Sequence, residues 1–534
     1  MRGQSLRRTF NEHWETAVAD HGDQPFLVFH DDTDTTTYSY RDFDQIVAET
    51  GGTLCRHGVR RGSAVHVALR NSPAFVALWL ATARLGAFLV PVDPASAVRD
   101  IASQIRRTQP TVGVCARSRA ETYRAGAQGM VPTILEMDET TSDVSPDGPL
   151  VADQPVTVAT CDIALFDRLA VMFTSGTTSE PKGVSLTQEN YSTVGEVMAA
   201  AVGLRPEHRW LVALPLFHAN AQYYCFAPAI VTGASVALTR TFSASRWVHQ
   251  AHELGATHAS LFAAPIRMIL ARCGIDRPPL HLEHVWFAQS LGREHYEHFA
   301  ELVGCRPRQL YGMTETVAAV TGDTSVPLRH DVIGEPLGSR VVDVVDAEDG
   351  QPTPPGTPGK LRVRGVRGSD LFQCYLDDQE TTNRAFTDLP DGTSWFDTGD
   401  LVVADPDSGM YRFVGRADDV IKVSGENVSL TEVESIVAQA PGVLEAAVIA
   451  QPDPIRDHVP VAYVVPRDST QPPDVDALEQ WAIGNLAPAA RPRSWHVIDE
   501  LPRTSVGKVR RFRIAVGTAS VHPVVDLVGR TPDR

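Results

Sequence analysis

Residues 169–183 read LAVMFTSGTTSEPKG, an apolar run that passes directly into a loop rich in hydroxyl groups. The run at 169–173 predicts a buried strand, because a short apolar segment bounded by turn residues is typical of one. The loop at 174–183 holds five Ser or Thr residues, two glycines and Lys182. Glycine lets the backbone approach an oxyanion, and N–H and hydroxyl groups can line a phosphate cradle. The stretch therefore predicts a phosphate-binding loop that follows a strand.

The segment after this loop predicts a helix, with Thr187 as the N-cap before QENYSTVGEVMAAAV. Strand and helix patterns alternate around 160–270, which indicates an α/β fold. The loop is not a Walker A motif, which reads GxxxxGK[ST], since Lys182 follows Pro181 and precedes Gly183. A phosphate loop of another kind is predicted, and a flexible Ser/Gly linker is the alternative.

The composition is that of a globular protein with more than one domain. The chain has 534 residues, of which 43% are hydrophobic and 21% charged. Its net charge of −17 argues against a basic face that binds nucleic acid. The beginning of the chain has no apolar core of a signal peptide, and Arg84 interrupts the longest apolar stretch, 74–92. We expect a buried helix running into a strand there, and no membrane span.

Cysteine and histidine spacing gives no metal site. The seven cysteines are scattered without a CxxC pair, which indicates a reducing compartment, and we expect the cytoplasm. HxEH occurs at 281–284 and at 295–298, but neither stretch has the i, i+4 histidine pair of a zinc-binding helix.

Lysine is rare in this chain and marks particular segments. Of the 48 basic residues only four are lysines: Lys182, Lys360, Lys422 and Lys508. Where nearly every cation is arginine, a lysine can mark a position that needs a compact ammonium charge, with chance codon usage as the alternative. Seven basic residues between 491 and 513 concentrate positive charge around one of these lysines, as an acidic protein with a polyanionic substrate requires.

The phosphate loop and five further segments resemble the adenylate-forming enzymes, in that superfamily's order. The superfamily comprises acyl-CoA synthetases, luciferases and the adenylation domains of peptide synthetases, and the wording is most similar to the carnitine/crotonobetaine-CoA ligase branch. The resemblance covers residues from about 10 to 515. Its segments are TSGTTSEPKG (174–183), PLFHANAQ (215–222), YGMTET (311–316), WFDTGDL (395–401), YRFVGRADDVIKVSGENVSLTEVE (411–434) and LPRTSVGKVRR (501–511).

This resemblance implies a fold of two unequal parts. Residues 1–417 would form a large α/β domain of stacked αβαβα layers plus a distorted β-barrel. Residues 418–517 would form a small, mobile α+β domain, with Asp418 at the hinge. Residues 518–534 run past the usual end of the superfamily and are expected to form a flexible tail.

The resemblance also implies a reaction in two steps. A carboxylate attacks the α-phosphate of ATP to give acyl-AMP and pyrophosphate, and CoA then takes the acyl group and releases AMP. The first step needs charge neutralisation at the phosphates and an in-line approach of the carboxylate. Mg²⁺ would enter with ATP. Because no carrier segment follows, the thiol would be free CoA or a separate carrier protein.

The nucleotide site that the resemblance implies draws on several segments. Glu315 would hold Mg²⁺ and Thr314 the α-phosphate. Tyr311 would offer an aromatic face to adenine, while Asp400 would bind the ribose hydroxyls with support from Arg416. The phosphate loop would contribute Thr174, Ser175, Gly176, Thr177, Thr178 and Lys182, and further contacts are expected at Ala288, Gln289, Ser290, Gly312 and Met313.

The two steps are expected to use different lysines of the small domain. Lys508 would bridge the substrate carboxylate and the α-phosphate during adenylation. Lys422, Gly425 and Asn427 would serve the thioester step, when the other face of the domain turns inward.

The acyl pocket is predicted from the residues that follow Phe217. His218 would lie at the substrate carboxylate and gate the thiol path. No carboxylate in HANAQYYCF could meet an α-amino group or a quaternary ammonium. We therefore expect an uncharged, partly polar acid of secondary metabolism, bulky or aromatic. The other predicted pocket residues are Asn220, Gln222, Tyr223, Tyr224 and Ala318.

Three alternatives to CoA ligation remain open. The enzyme could hand its acyl-AMP to a separate carrier protein or partner enzyme. It could be a non-catalytic nucleotide-binding protein, although the phosphate loop, Glu315 and Lys508, whose loss would indicate a dead site, are all present. A luciferase-like oxidative second step is the third. A homodimer is also left open. The catalytic candidates are Lys508, His218, Thr314, Glu315 and Lys422.

Overall fold

The structure is a computed structural model of the chain. It describes residues 7–151, 162–174, 181–280, 282–347, 349–424, 426–468, 470–503, 509, 511, 514 and 521–526.

Helices are numbered in chain order. They are α1 (Phe10–His21), α2 (Tyr40–Arg56), α3 (Pro73–Arg84), α4 (Val98–Thr108), α5 (Ala120–Ala127), α6 (Gln188–Val202), α7 (Ala219–Ala221), α8 (Ala227–Thr232), α9 (Trp247–Glu253), α10 (Ala263–Arg272), α11 (Arg293–Val303), α12 (Gln379–Ala385), α13 (Leu430–Val437) and α14 (Val475–Asn485).

Strands are numbered in the same way. They are β1 (Pro25–His30), β2 (Thr35–Ser39), β3 (Ala64–Ala68), β4 (Phe88–Pro91), β5 (Val112–Ala116), β6 (Thr133–Met137), β7 (Arg168–Thr174), β8 (Lys182–Thr187), β9 (Arg209–Val212), β10 (Ser235–Thr239), β11 (His258–Phe262), β12 (His284–Ala288), β13 (Arg308–Tyr311), β14 (Thr321–Gly322), β15 (Glu335–Pro336), β16 (Val341–Val345), β17 (Gly359–Gly365), β18 (Cys374–Tyr375), β19 (Phe386–Asp388), β20 (Ser394–Ala404), β21 (Tyr411–Arg416), β22 (Val420–Val423), β23 (Glu426–Ser429), β24 (Val443–Asp453), β25 (Asp457–Pro466), β26 (Ser494–Ile498) and β27 (Val521–Asp526).

Two large sheets, parallel in their centres, form the first part of the chain. Within the described residues, sheet A has the strand order β15-β14-β13-β12-β11-β9-β10-β1-β2, and sheet B has the order β18-β8-β7-β4-β3-β5-β6. The strands from β13 to β1 in sheet A and from β7 to β6 in sheet B run parallel, and antiparallel strands flank them. Parallel strands are covered on both faces and therefore consist of apolar runs such as that of β7.

Local sequence signals in sheet B are confirmed. The apolar run at 169–173 lies in β7, and α6 begins at Gln188, where the Thr187 side chain accepts a hydrogen bond from the Asn190 N–H. The stretch 74–92 forms α3 and then β4, as predicted, and every residue of α3 except the half-buried Arg84 is buried. Among the described residues, no helix has the length and apolarity needed to cross a membrane.

The two smaller sheets belong to the second half of the chain. Sheet C joins β16, β17, β20, β19 and β21 in antiparallel pairs, at the place of the expected barrel. Sheet D contains β22 to β27, and its core includes buried side chains of α13 and α14. A 3₁₀ turn, Ala417–Asp419, connects the two sheets at the predicted hinge. The predicted fold class, a large α/β part with a small α+β part, is confirmed.

The C-terminal tail requires a correction. Residues 518–534 were expected to be flexible, yet Val521–Asp526 form β27, which pairs antiparallel with β26 in sheet D. The segment VHPVVD is rich in β-branched valine, and an edge strand such as β26 presents unpaired backbone groups that a further strand can bond. Pro523 is tolerated there because β27 is itself an edge strand. Residues 515–520 and 527–534 lie outside the described part of the chain.

One buried amide joins sheet A to sheet B. Asn71 follows β3 and is 3% exposed. Its Nδ2 donates to the carbonyl oxygens of Leu214 at 3.1 Å and Thr239 at 3.0 Å. Its Oδ1 accepts from the Leu216 N–H at 2.8 Å. The ends of β9 and β10 are thereby fixed against sheet B.

We predict that Asn71→Ala lowers the free energy of unfolding by about 3 kcal/mol, because three buried backbone groups would lose their partner. Denaturant unfolding measures the loss. The control is Asn383→Ala, which removes an exposed hydrogen bond from Gln379 within α12 and should change stability by less than about 0.5 kcal/mol. Equal losses in the two variants would contradict the role of Asn71.

Candidate active site

The predicted nucleotide-binding residues cluster where strands of sheets A and B end. Thr174 is the last residue of β7, Ala288 of β12 and Tyr311 of β13. Ligands of open α/β sheets bind at the carboxyl ends of the strands, where loops leave the sheet. The sequence segments around these residues therefore meet at one edge because of the fold.

The two ends of the phosphate loop are fixed by a strand pair. Thr174 and Lys182 are register partners in the antiparallel ladder of β7 and β8. The guanidinium of Arg107 donates to the Pro181 carbonyl at 2.8 Å, which holds the chain just before Lys182. The loop residues between the strands, which include Ser175, Gly176, Thr177 and Thr178, lie outside the described residues.

Tyr375 connects the phosphate loop to the predicted metal ligand. The Nζ atom of Lys182 lies 5.1 Å from the centre of the Tyr375 ring, within the range of a cation–π contact. The hydroxyl of the same tyrosine donates to Glu315 Oε1 at 3.1 Å. One side chain thus contacts both a cation and a carboxylate that the sequence assigned to ATP. Tyr375 was not predicted, because a lone tyrosine in QCYLDD carries no local signal.

Glu315 lies on a 3₁₀ turn, Thr314–Thr316, directly after β13. It is 5% exposed, and burial raises the pKa of its carboxyl. The Tyr375 hydroxyl and the positive charges of Arg416 and Lys182 lower the same pKa and so favour the carboxylate. Burial is the largest of these effects and leaves the pKa raised, while the hydrogen bond and the two cations offset part of it.

The donor set fits Mg²⁺ if the nucleotide supplies most of the ligands. Among the described residues, no group of three or more His, Cys, Asp and Glu side chains could hold a metal ion by itself. Mg²⁺ typically binds one or two carboxylates together with substrate phosphates and water. Glu315, with Lys182 nearby as a phosphate partner, matches that pattern.

Asp400 is held from two directions. Tyr311 donates its hydroxyl hydrogen to Asp400 Oδ2 at 2.6 Å, which joins β13 of sheet A to β20 of sheet C. Arg416 lies opposite Asp400 in the ladder of β20 and β21, with its Nε atom 3.7 Å from Asp400 Oδ1. Burial and the neighbouring carboxylate raise the pKa of Tyr311. The structure thus brings together all three residues that were predicted to bind adenosine.

Further predicted contacts lie on the loops around this edge. Gln289 adopts a positive φ of 75°, and its carbonyl accepts from Gln309 Nε2 at 3.3 Å. Ser290 beside it is exposed, and Met313 and Thr314 are half-buried. At Gly312, an added Cβ would lie 2.8 Å from the Tyr224 hydroxyl. The backbone after β13 therefore approaches the predicted acyl side as closely as only glycine allows.

Five of the six predicted acyl residues, all except Ala318, lie on one interrupted helix or directly before it. α7 passes into a π-helical turn, Gln222–Phe226, which passes into α8. Gln222 is fully buried, and its amide donates to the Leu216 carbonyl and accepts from the Tyr191 hydroxyl, each at 2.6 Å. Tyr223 is also fully buried, with its hydroxyl 3.5 Å from the Thr314 carbonyl oxygen. Both side chains therefore support the helix from within the core.

Three other predicted acyl residues flank these two in the sequence. Asn220 donates from Nδ2 to Ser260 at 3.0 Å, whereas its buried Oδ1 has no hydrogen-bond partner among the described residues. The Tyr224 hydroxyl lies close to Gly312, directly after β13. His218 is half-buried, and its ring centre lies 4.5 Å from that of Phe217.

A strained turn follows Glu315 and is held by an arginine. Val317 has φ of 65° and ψ of −89°, near the values of a γ-turn that β-branched residues rarely adopt. Arg340 donates from Nη2 to the Thr316 carbonyl at 2.5 Å and to the buried Ala318 carbonyl at 3.4 Å. Its Nη1 donates to the Asp370 carbonyl at 2.6 Å. These hydrogen bonds from Arg340 were not predicted, because the arginine and the turn are distant in sequence.

The small domain holds the remaining predicted residues. Lys422 is exposed on β22 and pairs in the ladder with Asn427 of β23. The side chains of Asp418 and Asn427, together with Lys508 and Gly425, lie outside the described residues. Their assigned roles stay predictions.

Two family models match the chain. The model of the AMP-binding enzyme family matches residues 14–376, and that of the AMP-binding enzyme C-terminal domain matches residues 432–508. A crotonobetaine/carnitine–CoA ligase of Salmonella paratyphi A (strain ATCC 9150 / SARB42) is 29% identical over 518 residues, which cover 95% of this chain and 98% of that protein.

Solved structures of similar fold cover nearly the whole chain. The crystal structure of an anthranilate CoA ligase in complex with anthranoyl-AMP superposes with a TM-score of 0.86 at 22% identity, covering 96% of this chain and 98% of that one. A benzoate CoA ligase from Burkholderia xenovorans LB400 gives 0.82 at 20% identity, with 95% and 99% covered. At these identities the likeness establishes the fold. Since the family model spans more than half of the chain, the protein belongs to the AMP-binding enzyme family and is, as its motifs predicted, an ATP-dependent ligase of the AMP-forming type.

Proposed function

We propose that the protein is an acyl-CoA synthetase that adenylates a carboxylic acid with ATP and transfers the acyl group to CoA. The observation that carries this proposal is the contact chain from Lys182 through Tyr375 to Glu315. Lys182, which we propose binds phosphate, and Glu315, which we propose binds Mg²⁺, both contact this tyrosine. ATP with Mg²⁺ is the ligand whose charges match this pair.

In the first step, the protein neutralises the nucleotide and orients it. Lys182 would meet the β- and γ-phosphates, and Thr314 the α-phosphate. Glu315 would hold Mg²⁺, which supplies further positive charge to the phosphates when bound. Asp400 would accept hydrogen bonds from the ribose hydroxyls, since its orientation is fixed by Tyr311 and Arg416. Lys508 would bring the substrate carboxylate to the α-phosphate, so that two mutually repelling anions can react.

In the second step, the other face of the small domain would serve the thiol. Lys422 lies exposed on β22, as a residue that must reach a separate ligand should. Gly425 and Asn427 would line the path of pantetheine. The relatives named above are CoA ligases, which supports free CoA as the acceptor.

The substrate we propose is an uncharged, bulky or aromatic acid of secondary metabolism. The helix from α7 to α8, residues 219–232, carries no acidic side chain that could meet a cationic substrate. The structural relatives named above act on anthranilate and benzoate, which are aromatic acids.

A second candidate function is adenylation alone, with transfer to a separate carrier protein. It shares the first step and differs in the acceptor. The cysteines of the described residues are free thiols, which supports a reducing, cytoplasmic setting for either function.

We expect carboxylate-dependent exchange between ATP and pyrophosphate with members of one acid class, in a panel of aliphatic, aromatic and terpenoid acids. Addition of CoA should then yield a thioester, identified by mass spectrometry. Exchange without a thioester would favour the carrier alternative. Absence of exchange with every acid, despite ATP binding by calorimetry, would overturn the assignment as an active ligase of these acids.

The two lysines of the small domain should separate the steps. Lys508→Ala is expected to slow pyrophosphate exchange about 100-fold, because one charge contact at the reacting phosphate is lost. Thiolysis of a preformed acyl-adenylate should be preserved in that variant. Lys422→Ala should instead preserve pyrophosphate exchange and slow the thiolysis of acyl-adenylate.

Lys360→Ala is the matched control, since this fourth lysine lies on β17 of sheet C and has no assigned role. It should leave both steps unchanged. Loss of both steps in either of the other variants would contradict a division of labour.

Removal of the Tyr375 hydroxyl should shift the pH profile of adenylation. Tyr375→Phe keeps the ring beside Lys182 but removes the hydrogen bond that lowers the pKa of Glu315. The pKa of this carboxyl should rise, so that the acidic limb of kcat/KM moves to higher pH, because the carboxylate loses a charge-assisted hydrogen bond. Steady-state kinetics over a series of pH values, at saturating Mg²⁺, locate this acidic limb.

Tyr296→Phe is the control for this shift. Its hydroxyl also makes one buried hydrogen bond, to the Pro307 carbonyl at 2.8 Å, at the start of β13 rather than at its end. The acidic limb of kcat/KM in this control variant should lie at the same pH as in the unmodified protein. A lowered plateau with an unmoved limb in Tyr375→Phe would show that the hydroxyl acts on packing alone.

A further inference from the structure

The turn that follows Glu315 has a backbone conformation that valine rarely adopts. Val317 has φ of 65° and ψ of −89°, and its side chain is fully buried. A β-branched residue disfavours a positive φ, because its side chain then crowds the backbone. Such a conformation persists only where the surrounding structure holds it, and such residues cluster at functional sites. The contacts around Val317 therefore have to supply the restraint.

Arg340 supplies this restraint through three hydrogen bonds. It lies directly before β16, and its Nη2 donates to the Thr316 carbonyl at 2.5 Å and to the Ala318 carbonyl at 3.4 Å. These two carbonyls lie on the two sides of Val317 in the chain. Its Nη1 donates to the Asp370 carbonyl at 2.6 Å. Because all three bonds reach backbone carbonyls, the side chain acts on the path of the chain.

The bond to Asp370 connects the turn to the loop between β17 and β18, residues 366–373. In the same loop, the Phe372 N–H donates to the Glu315 carbonyl at 2.9 Å. The Asp370 carboxylate accepts from the Val366 N–H, so the loop is also bonded within itself. One loop therefore holds the backbone of Glu315 directly, and it holds the turn after Glu315 through Arg340.

Helix α6 keeps this loop in place. The Nδ2 atom of Asn190 donates to the carbonyls of Ser369 at 2.6 Å and Leu371 at 2.9 Å. α6 directly follows β8, whose first residue is Lys182. The two charged residues of the predicted phosphate and metal site, Lys182 and Glu315, are thus connected through α6 and the loop as well as through Tyr375.

The turn separates two predicted site residues. Glu315, the predicted metal ligand, lies two residues before Val317, and Ala318, a predicted acyl residue, directly follows it. If Val317 relaxed to an ordinary φ, the chain before it would rotate relative to the chain after it, since φ and ψ are the soft dihedrals of the backbone. A misplacement of about 1 Å in an active site can lower a rate about 100-fold.

We propose that Arg340 is a positioning residue of the adenylation site. By holding the turn at Val317, it keeps the Glu315 carboxylate against the Tyr375 hydroxyl, where that carboxylate is available to Mg²⁺. This role rests on the proposed function, in which Glu315 binds Mg²⁺ together with ATP. Arg340 acts through the backbone of the turn and itself contacts neither the nucleotide nor the acid.

The test is calorimetric titration of the full chain with ATP, once with EDTA and once with saturating Mg²⁺. In Arg340→Met, the affinity for ATP without Mg²⁺ should stay unchanged, because Tyr311, Asp400 and Arg416 are not altered. The affinity for ATP with Mg²⁺ should fall about tenfold, the effect of one displaced charged contact. ATP–pyrophosphate exchange at saturating Mg²⁺ should slow about 100-fold.

Arg340→Lys keeps the charge and the aliphatic stem, so it should fold even if Arg340→Met does not. An ammonium lacks the planar fork and cannot replace all three hydrogen bonds, so a smaller loss of the same kind is expected. Arg209→Met is the matched control. Arg209 is also half-buried and donates to the Leu254 carbonyl at 2.8 Å and to Ser235 Oγ at 2.9 Å, but it lies at the start of β9, at the other edge of sheet A. Both ATP affinities should be unchanged in this control.

Equal weakening of ATP binding with and without Mg²⁺ in Arg340→Lys would indicate general damage to the fold and overturn the positioning role. Unchanged binding of ATP with Mg²⁺ in both Arg340 variants would overturn it as well. If the unmodified protein exchanges pyrophosphate normally, either result counts against Arg340 alone. If the unmodified protein shows no exchange but the Mg²⁺-specific loss of ATP affinity is present, the ligase assignment fails and the positioning of Glu315 by Arg340 is supported.

Discussion

The side chain of Asn71 fixes the two large sheets against each other. It follows β3 of sheet B, and its amide bonds three backbone groups at the ends of β9 and β10 in sheet A. One of these groups belongs to Leu216, in the segment that leads into the acyl helix. The predicted phosphate loop follows β7 of sheet B, so the distance between the predicted phosphate and acyl sites depends on this contact. A buried amide suits the role because its donors and acceptor are fully used.

Two tyrosine hydroxyls likewise hold carboxylates in place by hydrogen bonds between separate parts of the fold. Tyr311 joins sheet A to Asp400 of sheet C, and Tyr375 of sheet B bonds Glu315 beyond β13. Each hydroxyl donates to a buried carboxylate, so that the acid is oriented before a nucleotide arrives. Fixed dipoles in a dry site stabilise developing charge without further rearrangement. Residues from three sheets thus meet at the predicted nucleotide site.

The sequence predicted what depends on local patterns. The apolar run of β7, the cap at Thr187 and the motif residues of the nucleotide edge all carry their signal within a few positions. Contacts across the fold carry none: Tyr375 meets Glu315 and Arg340 meets Ala318 only because separate segments converge. Gln222 was placed in the acyl pocket for its polarity, yet its amide is used by Tyr191 and a backbone carbonyl. The partner of a buried polar group cannot be read from the chain on either side of it.

Because of the π-helical turn at Gln222–Phe226, insertion or deletion of one residue in this helix would change which side chains face the predicted acyl pocket. Such a turn contains one more residue than an α-helical turn, so it rotates every following side chain about the helix axis. Loss of a single residue here would restore regular winding and present different side chains of α8 to their surroundings, with the flanking strands unchanged. Evolution could thus alter the shape of the pocket by one-codon insertions and deletions. Comparison of relatives by aligned position alone would then assign the wrong residues to the substrate.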